Sequence, residues 1–93
     1  MGDAAAPAIV HLPRSLVSLF PGAQRRVEAR GRDVAALIDD LDRQVPGIRN
    51  RLLDSGPSIR THLNIFVAGE LARLDSPVPH GADVHVIPAV SGG

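Results

Sequence analysis

Cysteine is absent from this 93-residue chain, and so is lysine. Without cysteine there can be no disulfide, no thiolate nucleophile and no thiolate metal site, a composition that suits a reducing compartment. Without lysine all ten basic residues are arginine, so the α-amino group is the one amine and copies cannot be chained through lysine isopeptides. Tryptophan and tyrosine are missing too, and Phe20 and Phe66 are the two aromatic rings apart from histidine, so the core must be aliphatic. Ten arginines balance ten acids, which leaves no net charge to favour nucleic acid or an anionic membrane as partner. No apolar run approaches the ~20 residues that span a bilayer. Residues 1–8 lack the basic and long apolar regions of a signal peptide, so the expectation is a cytoplasmic protein.

Chemistry-bearing patterns are scarce as well. The four histidines form no metal-ligand pair, Asp39-Asp40-x-Asp42 has no calcium-loop spacing and reads as a polar helix face, and no glycine-rich phosphate loop is present. No metal and no bound cofactor are expected, and no nucleophile elbow points to an enzyme acting alone.

What is present is a run of short elements. Residues 1–7 are small and Ala-rich and read as a disordered lead. Ala8 to Leu12 reads as a strand with Ala8, Val10 and Leu12 on one face. Leu16, Val17, Leu19 and Phe20 follow as a plug for one end of the core. After the Pro21-Gly22 turn, residues 24–29 form a second strand with Val27 and Ala29 inward, giving a hairpin with a long loop. Asp33 is an N-cap candidate for a helix whose Val34, Leu37, Ile38, Leu41 and Val45 share one stripe. Pro46-Gly47 stops it, and Ile48 to Leu53 reads as a further helical turn or two. Residues 54–58 are a loop by composition. Thr61 to Val67 is the clearest strand, with Leu63, Ile65 and Val67 on one face and His62, Asn64 and Phe66 on the other. A tight turn at residues 68–70, a short edge strand within 71–74, a Pro-rich loop and a last strand, Asp83 to Ile87, complete the order.

A β-β-α-β-(β)-β order buries the helical stripe when the sheet wraps that helix, with first and last strands parallel at the centre. The expected fold is therefore α+β of the β-grasp (ubiquitin-like) kind: a mixed sheet of four to five strands on one main helix, plus a short second helix. The expected domain spans residues 8–88. His62, Phe66, His85 and Ile87 share the non-core parity of two strands, and an exposed apolar patch on a small protein marks a docking surface. Arg14, Arg60 and Arg73 are candidates to ring it with charge.

The chain then sheds its side chains in Pro88-Ala89-Val90-Ser91-Gly92-Gly93, with residues 89–93 expected to be a flexible tail. Pro88 lacks an N–H and is placed to stop the sheet ladder, Val90 offers an apolar anchor, and Ser91 is small. Gly92 and Gly93 lack Cβ and suit a narrow channel. Extended, residues 90–93 reach roughly 13 Å at ~3.3 Å each.

These features resemble the MoaD/ThiS family of ubiquitin-like sulfur carriers. The likeness rests on the Val86-to-Gly93 ending preceded by Gly81-Ala82-Asp83-Val84, on Leu63-Asn64-Ile65-Phe66-Val67-Ala68-Gly69-Glu70, and on the helix interrupted by Pro46-Gly47. Ala68 and Ala82 depart from the residues common there. The resemblance implies that a ubiquitin-activating-type enzyme, using ATP and Mg²⁺, adenylates the Gly93 carboxylate. A sulfurtransferase or cysteine desulfurase then supplies sulfur to give a thiocarboxylate. A sulfur-accepting enzyme (cysteine synthase-like, molybdopterin synthase large subunit or thiazole synthase-like) finally takes it up. Gly93 and Gly92 are then the reacting end, and Phe66, Ile87, His85, His62, Pro88, Val90 and Ser91 meet partners. The alternatives are a molybdopterin synthase small subunit specifically, a modifier conjugated through Gly93 to target lysines, or a β-grasp interaction module with an inert tail.

Overall fold

In the computed structural model residues 6–89 are described. The disordered lead expected over residues 1–7 therefore lies outside them, apart from Ala6 and Pro7. The chain builds strand β1 (Ala8–His11), a single helical turn α1 (Arg14–Val17), β2 (Arg26–Ala29), the main helix α2 (Val34–Gln44) and a short helix α3 (Ile48–Leu52). There follow β3 (Leu53–Asp54), β4 (Ser58–Ile59), β5 (Leu63–Val67), β6 (Glu70–Leu71) and β7 (Asp83–Pro88). Five strands make one sheet in the order β2-β1-β7-β5-β6, and β3 pairs β4 in a separate two-stranded ribbon. β1 and β7 run parallel at the middle, while β2, β5 and β6 pair antiparallel with their neighbours. This is the wrapped mixed sheet expected from the element order.

Helix α2 forms where the stripe predicts. Asp33 caps it, its side chain accepting the Ala36 N–H at 2.8 Å. The backbone N–H groups of Val34 and Ala35, which no helical carbonyl can reach, donate to the carbonyls of Ser76 and Leu74. The Pro-rich segment after β6 is therefore fastened across the helix start, and it delivers Val78 into the core. Val34, Leu37, Ile38 and Leu41 are buried with Val10, Ile65, Val84 and Val86 of the sheet in one apolar cluster, and among the described residues no polar or charged residue is buried. Gly31 is required by proximity: a Cβ there would stand 2.3 Å from the Leu37 backbone nitrogen.

Two expectations are corrected. Residues 54–58 are not a plain loop. The Asp54 carboxylate accepts the Ser58 hydroxyl at 2.7 Å and the Gly56 N–H at 3.3 Å, so the chain reverses tightly and Leu53 meets Ile59 across the β3–β4 ribbon. Leu53 accordingly leaves the helix, with extended backbone angles, and is buried from a strand position. In the plug after β1, Leu16 is buried and Val17 and Phe20 pack against the core, but Leu19 points outward and is 50% exposed.

The acidic run on α2 holds structure together, as a polar helix face. Asp42 accepts the N–H groups of Gly47 and Arg49 at the start of α3, Asp39 pairs with Arg49, and Asp40 accepts the Arg30 N–H at 2.8 Å. That last bond, with Arg43 alongside, holds the Asp40 carboxyl below the usual carboxylate range.

Candidate functional site

One face of the sheet covers α2 and the other is open. On the open face the registers align one residue from each strand: Arg26 opposite His11, His11 beside His85, His85 opposite Phe66, and Phe66 opposite Leu71. A single row thus crosses all five strands. Within it the imidazoles of His11 and His85 stack nearly parallel, centroids 4.3 Å apart and 9° between planes. His11 donates through Nε2 to the Asp83 carboxylate at 2.8 Å, and this bond holds the Asp83 carboxyl below its ordinary range. Phe66 is half-buried, His85 is exposed, and Leu71 and Ile87 are 66% and 43% exposed. Ile87 stands opposite Asn64 one row further along. The result is a flat surface of rings and aliphatic groups, wet at the β2 edge and apolar at the β6 edge.

The sequence parity placed Phe66, His85 and Ile87 together, and the structure does the same. His62 is different. It precedes β5, is exposed, and lines a notch with Leu63, Arg51 and Arg60 at the end of the sheet. Three residues of the row were not singled out from the sequence: Arg26, at the edge strand; His11, whose place follows from the inward parity of its neighbours Val10 and Leu12; and Leu71, whose place depends on a two-residue turn fixing its register with Phe66. The arginine ring does not form as expected. Arg60 donates from Nε and Nη2 to the Asn50 carbonyl, and Arg73 pairs with Asp75 at 3.3 Å.

Pro88 does not end the ladder. It stands opposite Leu63 within β7, and beyond it the Ala89 N–H donates to the His62 carbonyl at 2.8 Å. Proline's missing N–H costs nothing at a position where the paired strand receives its bond from the next residue instead. The first residue of the expected tail is therefore fastened to His62, the residue before β5. Val90, Ser91, Gly92 and Gly93, the remaining tail residues singled out by sequence, lie outside the described residues. Among the described residues no group of three or more His, Asp or Glu is arranged to hold a metal, and no helix is long and apolar enough to cross a membrane.

The model of the ThiS family matches residues 10–93, from β1 through the last glycine. The chain belongs to the ThiS family. A relative, the sulfur carrier protein CysO of Mycobacterium tuberculosis, is 36% identical over 78 residues, covering 77% of this chain and 84% of that protein. Among solved structures the fold is similar to that in the Amycolatopsis orientalis BexX/CysO complex, with a TM-score of 0.80 and 29% identity over 92% of this chain and 99% of that one. It is also similar to SAMP1 of Haloferax volcanii, with a TM-score of 0.75 over 95% of this chain and 100% of that one; at 24% identity this likeness speaks to the fold. The β-grasp architecture is thus shared by all of these.

Proposed function

We propose that this chain is a sulfur carrier whose working group is the Gly93 carboxylate. The observation that supports it most is the family match, which extends to Gly93. A carboxylate is a poor acyl electrophile. Attack of a Gly93 oxygen on the α-phosphate of ATP releases pyrophosphate and leaves an acyl adenylate with a good leaving group. A persulfide sulfur of a donor protein attacks the acyl carbon and expels AMP. A thiol then cleaves the S–S bond, leaving a thiocarboxylate on Gly93 and a disulfide on the donor. The chain itself brings no catalytic group: ATP and Mg²⁺ belong to the adenylating partner, and this protein acts as co-substrate.

Gly92 lets the arm thread a channel too narrow for a Cβ. Val90 anchors the arm in an apolar notch of the partner, Ser91 is small enough to follow it into the channel, and the arm leaves the sheet beyond the Ala89 bond to His62. The row from His11 to Leu71, with Ile87, is the surface on which the adenylating enzyme and the sulfur acceptor take turns. The solved BexX/CysO complex, in which a protein similar to this chain is found with another protein, supports docking to a partner. The acceptor we favour is a cysteine synthase-like enzyme, in a cytoplasmic setting.

The test is intact mass. Co-expression with an adenylating enzyme and a sulfurtransferase should convert the chain to a species heavier by the exchange of one oxygen for one sulfur. Removal of Gly93 should abolish the shift. Persistence of sulfur transfer after that deletion, or covalent ladders on target proteins in place of the mass gain, would defeat the proposal.

A further inference from the structure

At the end of the sheet where β7 gives way to Ala89 there is an open notch of about 200 Å³. Its floor is Pro13, Leu16, Leu19 and Leu63, and its polar side chains are Arg51, Arg60, His62 and Ser15, with no carboxylate in the lining. Leu19, half exposed, is left there with nothing to cover it among the described residues. Arg60 is held in place by two bonds to the Asn50 carbonyl. Arg51, in the last turn of α3, makes no ion pair or hydrogen bond among the described residues. The Asp54 carboxylate, which does not line the notch, feels the charge of Arg60, and its Oδ1 already accepts from Ser58 and Gly56. In a chain with equal numbers of arginines and acids, this end is locally cationic.

The notch is continuous with the start of the arm. Leu63 in its floor stands opposite Pro88, and the carbonyl of His62 in its wall holds Ala89. A protein that encloses the residues after Ala89 must therefore cover this end of the sheet. From that continuity and from the charge of the rim, we infer that the notch receives an acidic segment of the adenylating enzyme. One large apolar side chain of that segment seats on Leu19 and Leu63, and a carboxylate meets Arg51. This inference rests on the sulfur-carrier reading above and adds to it a second contact area, separate from the open sheet face. The partner's carboxylate finds in Arg51 a fork of donors with no prior commitment, and the aliphatic floor is desolvated in the same step. Such a contact speeds encounter and is weakened by salt.

ATP–pyrophosphate exchange by the adenylating enzyme of the same genome, measured against carrier concentration at low and high salt, tests the idea. Arg51→Glu should raise KM for the carrier by about tenfold with kcat little changed, and should flatten the fall of kcat/KM with salt. Leu19→Ala should raise KM in the same sense. Arg43→Glu, an equal charge change on α2 away from the notch, should leave KM as in the wild type, and thermal melts confirm that each variant is folded. An unchanged KM and an unchanged salt slope for Arg51→Glu overturn the inference while leaving the carrier reading intact. So does a defect confined to sulfur transfer to the acceptor, which would give the notch to another partner. Absence of exchange with the wild type overturns the carrier reading itself, and the inference with it.

Discussion

Ala68 holds a backbone conformation that L-residues avoid. The two-residue turn between β5 and β6 needs positive φ at both central positions, and Ala68 (φ 51°) and Gly69 (φ 86°) supply it. Glycine does so without cost; alanine, with its Cβ against the following carbonyl, gives up roughly 1–2 kcal/mol. Asparagine tolerates the left-handed region through local hydrogen bonds. Ala68→Asn should therefore raise stability by about 1 kcal/mol, read as an increase in the urea midpoint with an unchanged slope. The strain lies beside Val67 and Glu70, which set the register placing Leu71 opposite Phe66, so the gain should come with no change in partner affinity.

At the scale of elements, the open face is the part whose chemistry is easiest to disturb without unfolding the protein. Ile87 and Leu71 are exposed and contribute little to the core. Ile87→Asp should leave the melting temperature nearly unchanged and weaken binding to the adenylating enzyme by about tenfold or more, as loss of a central apolar contact does; isothermal titration reads both affinity and stoichiometry. How far such elements are legible in the sequence depends on the length of their pattern. The α2 stripe has five apolar positions and a capping aspartate, and β5 and β7 alternate cleanly, so helix, strands and inward faces follow directly from spacing. Elements of two residues have no period to detect. β3 and β4 exist because the Asp54 side chain closes a turn, and β6 exists because a two-residue turn folds the chain back. Both are set by side-chain hydrogen bonding and backbone angles rather than by hydropathy. The site shows the same division. Phe66, His85 and Ile87 follow from parity within one strand each. The His11–His85 stack depends on which strands are neighbours, and the Ala89 anchor is a backbone bond, to which any residue but proline has access.

For the molecule as a whole, acid is the condition to which these contacts are most sensitive. Asp40, Asp54 and Asp83 all have carboxyls held below their ordinary range by hydrogen bonds made in the folded state, led by those from Arg30, Ser58 and His11 respectively. A depressed folded pKa stabilises the fold at pH above the unfolded value, and that stabilisation fades as pH falls toward the lower folded value. The gap in stability between the wild type and Asp40→Asn should thus be constant above about pH 5 and close below it, as chemical denaturation across pH can show. The Asp40 bond has a further consequence for how copies of the molecule treat one another. β2 is an outer strand, and α2 covers two backbone groups at its end: Asp40 accepts from Arg30 N–H just beyond the strand, and Gln44 donates to the Glu28 carbonyl at 2.7 Å. At the other margin β6 is only two residues long. The sheet thus offers no long free seam, which is how natural proteins avoid edge-to-edge growth. Protonating Asp40 takes away the ionised half of that guard. Storage in acid therefore weakens, without abolishing, one of the two contacts that cover this edge in molecules that are still folded.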